Sequence, residues 1–130
     1  VPPIYPAELY DYIEQSGARM VFNEIQRQFS MPYKSSSLAE QYTSYTYPYG
    51  TEYRIKDILT AVSERKIDGL IHYVQSFCHR AIGDILMRQA LNIPILTIEG
   101  TTDTHLNQHL KTRIEAFLDM LYFKNTHNKN

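Results

Sequence analysis

Two short runs of apolar, largely β-branched residues, each leading into a stretch with helical spacing, constrain this chain more than any other feature. The first is Leu70-Ile71-His72-Tyr73-Val74 and the second is Pro94-Ile95-Leu96-Thr97-Ile98. Between them, Ala81, Ile82, Ile85, Leu86 and Ala90 predict a helix over 80–91. After the second, Leu106, Leu110, Ile114, Phe117 and Leu121 predict a helix over 106–123. Upstream, Ile55, Ile58, Leu59 and Val62 mark a helix within 52–64. Leu9, Tyr12 and Ile13 share one face of a helix over 7–16, which Gly17 is suited to end. A short strand is expected at 19–23 and a weakly marked helix at 38–45. The latter follows an irregular stretch whose serines, Ser35 to Ser37, can supply a cap.

Helices that alternate with short apolar strands imply an α/β fold with a parallel sheet covered on both faces. The expected architecture is a three-layer open parallel sheet, like half of a flavodoxin or Rossmann fold. Such a sheet normally opens on its central strand. Here Val1-Pro2-Pro3-Ile4-Tyr5-Pro6 leads straight to a helix, and three prolines exclude a central strand. The sheet is therefore expected to lack its first strand and the chain to be part of a longer polypeptide. Residues 1–123 are read as one α/β domain and 124–130 as a polar tail.

The charge balance, Lys+Arg 13 against Asp+Glu 14, gives no basic stripe of the kind nucleic acid or a membrane surface attracts. No apolar run is long enough to span a bilayer. The single cysteine, Cys78, cannot form an internal disulfide, which fits a reducing cytoplasm. The tyrosines of 42–49 read either as packing that pins a loop or as a surface for a partner.

Cys78 falls where the first apolar run hands over to a helix, at the carboxyl edge of the expected sheet. Ligands bind along that edge in open α/β sheets. A packed thiol, a thiol paired with His72 or His79, and a zinc site with His105 and His109 are the alternatives the residues leave open. Glu24 and Glu99 are expected at the same edge. Glycine-rich phosphate loops and the Gly-x-Ser-x-Gly elbow are absent from the sequence.

Asp68-Gly69-Leu70-Ile71, Ser76-Phe77-Cys78, Ile93 to Gly100, and Thr112-Arg113-Ile114-Glu115-Ala116-Phe117-Leu118 together resemble the 2-hydroxyacyl-CoA dehydratase family. That family includes the benzoyl-CoA reductase subunits. The resemblance implies the C-terminal domain of a cytosolic, anaerobic iron–sulfur protein. It implies a [4Fe-4S] cluster held by cysteines and fed one electron by an ATP-dependent activator protein, with an acyl-CoA as substrate. Cys78 matches one cluster ligand, and Gln26, Arg27, Ser76 and Glu99 are expected around the cofactor or substrate. The other implied partners are an N-terminal domain of the same polypeptide and a second subunit. A second cysteine, often found after the strand that corresponds to 19–23, is missing here, so this chain alone is expected to be metal-free and inactive. The alternative is a non-catalytic α/β module for interaction or ligand binding, with no cluster.

Overall fold

The computed structural model describes residues 7–27, 36–43, 50–100 and 105–127. Among these residues six α-helices and two strands follow one another: α1 (Glu8–Gln15), α2 (Glu24–Arg27), α3 (Leu38–Thr43), α4 (Thr51–Arg65), β1 (Leu70–Gln75), α5 (Gly83–Ala90), β2 (Ile95–Gly100) and α6 (Gln108–His127). The strands pair in parallel, with Leu70 opposite Ile95 and Gln75 opposite Gly100. The mixed helix and strand order is that of an α/β protein. Most of the tyrosine-rich segment, 44–49, lies outside the described residues.

Successive side chains of a strand point to opposite faces, and both faces of this pair are covered. On one, Ile71, Tyr73, Leu96 and Ile98 pack with Leu9 and Ile13 of α1 and Ile114 of α6. On the other, Leu70 and Ile95 pack with Ile58 of α4 and Met87 and Leu91 in and after α5. The near-continuous apolar runs of the sequence follow from this, since a strand buried on both faces has no polar side to alternate with.

Local signals set the helix ends. Gly17 takes a φ of +86° just beyond α1, a conformation that costs glycine little. Ser37 caps α3 by accepting the Glu40 N–H (3.2 Å), and the Glu40 carboxylate in turn accepts from Ser36.

Three expectations are corrected. The stretch 19–23 does not form a strand, because a strand exists by pairing and a groove separates this stretch from β1. The helix expected over 80–91 is a 3₁₀ turn (His79–Ile82) followed by α5. Ile82 is largely exposed, so no packing holds that first turn in α geometry. The expected polar tail is helical as far as His127, where Lys124 and His127 place positive or titratable groups against the helix's negative end.

At the carboxyl end of the pair, Tyr73 lies over Gly100. A Cβ on Gly100 would stand 1.7 Å from the Tyr73 hydroxyl oxygen. Gly100→Ala is therefore expected to cost about 1–3 kcal/mol in urea unfolding. In combination with Tyr73→Ala the loss should be smaller than the sum of the two single losses. Strict additivity would show that the ring does not set the requirement for glycine.

Candidate functional site

β1 ends at Gln75, and the chain reverses through Ser76 and Phe77 into Cys78. The Cys78 N–H donates to the Gln75 carbonyl (3.0 Å), which closes the turn. Ser76 locks the strand ends together: its N–H and its hydroxyl both donate to the Gly100 carbonyl, each at 3.0 Å. Phe77 takes a φ of +63°, a left-handed conformation that costs a bulky residue about 1–2 kcal/mol. Its ring is fully solvent-exposed. Cys78 follows, half-buried, and caps the 3₁₀ turn with extended backbone (φ −76°, ψ 120°).

Cys78 lines the upper end of a groove of about 370 Å³ between the stretch before α2 and β1. Asn23, Glu24, Arg54, His72, Gln75, His79 and Arg80 line it too. Asn23 caps α2 by accepting the Ile25 N–H (3.0 Å) and donates from its side-chain amide to the Tyr10 hydroxyl (3.2 Å). This presents Glu24 to Arg54 of α4, whose guanidinium binds both carboxylate oxygens at 2.5 and 2.7 Å. The fork geometry makes this the stronger kind of ion pair, and it ties α2 to α4 at the rim.

Below the rim is a polar network. His72, on β1 and only 5% exposed, bonds through Nδ1 to Asp84 Oδ1 at 2.6 Å. The Thr97 hydroxyl on β2 donates to the same oxygen (2.6 Å), and Arg88 Nε donates to Oδ2 (2.7 Å). Arg88 also donates to Thr97 Oγ1 (2.5 Å) and to the Ile95 carbonyl (3.1 Å). Burial by itself pushes the Asp84 carboxyl up, but the hydrogen bonds from Thr97, His72 and Arg88 outweigh it and bring the carboxyl down to about 2. Burial pushes His72 down, and the Asp84 bond only partly offsets this. Asp84 is thus ionised and acceptor-only, and a neutral His72 donates from Nδ1.

The expected site residues are distributed unevenly. Cys78 lines the groove. Ser76 stands beside it with its hydroxyl committed to the Gly100 carbonyl. Glu99 is an exposed residue of β2, opposite Val74. Gln26 is exposed on the short helix α2, which also contains Arg27. Among the described residues, Gln26, Ser76 and Glu99 do not line the groove. The zinc arrangement does not form: His105 precedes α6 and pairs with Glu8, His109 lies within α6, and no three His, Cys, Asp or Glu side chains gather among the described residues. Among the described residues no hydrogen bond joins Cys78 to either histidine: His72 is turned to Asp84, and His79 lines the groove beside Cys78. Sequence reading missed the Glu24–Arg54 pair and the Asp84 network. The i,i+4 spacing of Asp84 and Arg88 is the signal in the sequence that points to the network.

The model of the family described as 2-hydroxyglutaryl-CoA dehydratase, D-component, matches residues 1–121. The chain belongs to that family. No match was found among curated proteins or among solved structures. The dehydratase-family match covers every element from α1 to β2 and most of α6, so both strands and the turn that holds Cys78 fall within it. No helix among the described residues is long and apolar enough to cross a membrane.

The network makes stability depend on pH in two stages. His72 has a depressed folded value, so its contribution is complete above the unfolded value near 6.5 and is lost as pH falls below it. Asp84 is also depressed, so its contribution is present above the unfolded value of about 4 and is lost as pH falls toward 2. Urea unfolding at pH 7.5, 5.5 and 3.5 should show both declines. Asp84→Asn should cost about 2–3 kcal/mol at pH 7.5 and flatten the profile. A profile identical to that of the parent protein would remove Asp84 from this role. Phe77→Gly, which relieves the left-handed strain, is expected to raise stability by about 1 kcal/mol in the same assay. A loss of that size would mean that the ring packs against something.

Proposed function

We propose that this chain is one α/β domain of a longer 2-hydroxyacyl-CoA dehydratase or acyl-CoA reductase component, in which Cys78 supplies one thiolate to a shared [4Fe-4S] cluster. The observation that carries the reading is the position of the chain's single thiol. It is half-buried, without a hydrogen-bond partner among the described residues, at the carboxyl end of the parallel pair and on the wall of a groove. Ligands of α/β sheets collect at that edge.

The residues fit one corner of such a cluster. A cubane takes four ligands, usually cysteine thiolates, and this chain has one cysteine. The remaining ligands come from elsewhere in the assembly, and the chain by itself is metal-free. The bound cluster would supply low-potential single electrons to an acyl-CoA. What this chain contributes is support for the thiol. Ser76 fixes the strand ends, the Cys78–Gln75 bond fixes the turn, and the Glu24–Arg54 pair fixes the opposite rim. Gln26, Arg27 and Glu99 then serve as outer residues that meet substrate or a neighbouring domain.

The partners in this reading are an N-terminal domain of the same polypeptide, a second subunit and an ATP-dependent activator, and the compartment is the cytoplasm. Support for an apposed surface comes from Phe77, Ile82, Ile85 and Leu86, all of them exposed apolar side chains close in sequence to Cys78. The two covered faces of the strand pair support the three-layer sheet.

Iron and acid-labile sulfide, measured on the full-length protein purified without oxygen, test the proposal. Cys78→Ala is expected to lose most of the iron while keeping its unfolding midpoint. Full iron content in the variant would leave Cys78 as a packed thiol and sink the reading.

A further inference from the structure

The groove beneath the candidate site runs the full length of β1. Its lower part, about 660 Å³, lies between Gly17 to Phe22 on one wall and Ile67 to Ile71 on the other. Its upper part lies between Met20 to Ile25 and Leu70 to Cys78. The early residues of each wall therefore share one end and the late residues share the other, so the stretch 18–24 runs parallel to β1 at a distance. Arg65 holds it there by donating to the Val21 carbonyl (2.6 Å) while its guanidinium lies over the Phe22 ring (5.5 Å).

The free edge of β1 faces this groove. In a parallel pair, alternate residues bond to the neighbouring strand. The bonds Leu70 N–H to Pro94 carbonyl (2.9 Å) and Ser76 N–H to Gly100 carbonyl (3.0 Å) identify the even-numbered residues as those that face β2. The N–H and carbonyl groups of Ile71 and Tyr73 therefore point the other way. Among the described residues, no hydrogen bond meets either N–H. Half-buried strand edges left unpaired are costly, and they are templates for another strand.

We infer that the groove holds one extended strand, parallel to β1 and apolar on both faces, supplied by the same polypeptide upstream of Val1. Three observations fix the occupant. The walls are parallel to each other and helices cover both faces, so a strand between them is buried on both sides. α1 runs antiparallel to the groove: Tyr10, near its start, meets Asn23 at the upper end, while Ser16 and Gly17 lie with Asp68 and Gly69 at the lower end. A parallel strand ends at the upper end, so a short connection carries it into α1 in the usual strand-to-helix order. Pro2, Pro3 and Pro6 make the sequence of residues 1–6 unfit for that strand. The strand's carboxyl end then stands between Asn23 and Gln75, next to Cys78.

Amide hydrogen exchange on the full-length polypeptide tests this without reference to iron, so it stands or falls apart from the role of Cys78. The Ile71 and Tyr73 amides are expected to exchange within about tenfold of the His72 and Val74 amides, at every protein concentration. Exchange on the order of 100-fold faster than those neighbours would overturn the inserted strand. Protection that falls on dilution would show a second copy in the groove and overturn its assignment to the same polypeptide.

Discussion

The carboxylate of Asp84 is the point on which the described structure depends. From the first turn of α5 it takes hydrogen bonds from a histidine on β1, a threonine on β2 and an arginine one turn further along its own helix. Two strands are too few to stand alone in water, and among the described residues neither outer edge of this pair meets another strand. Apolar contacts from α4 and α5 close one face, but they are not directional. The Asp84 bonds are directional and charge-assisted, so they set where α5 sits along the strands. Arg88 extends the clamp to the Ile95 carbonyl.

That clamp also positions the candidate site. The turn that carries Cys78 is pinned at its strand end by Ser76 on the Gly100 carbonyl and at its helix end by α5. The cost of holding Phe77 in a left-handed conformation is borne inside this frame. Strain of this kind persists where the surroundings determine the backbone, and it collects at functional sites. The Phe77 ring is wholly exposed beside a thiol that takes no hydrogen bond among the described residues.

Much of this was legible in the residues. Buried β-branched runs announced β1 and β2, and the i,i+4 spacing of apolar residues announced α4 and α6. The motif around Cys78 pointed to the dehydratase family, to which the chain belongs. What was not legible depends on contacts distant in sequence. The stretch 19–23 has a strand's composition but no adjacent partner, so its identity rests on a neighbour rather than on its own side chains. The Glu24–Arg54 pair joins residues thirty apart, and the Asp84 network depends on a strand register that no local pattern encodes.

The claim that Cys78 is a cluster ligand is tested most directly by its alkylation in the full-length protein purified without oxygen, quantified by mass spectrometry before and after iron is removed by chelation. The account predicts a thiol that resists alkylation while iron is bound and reacts rapidly once the iron is gone. Equal reactivity in the two states would contradict it.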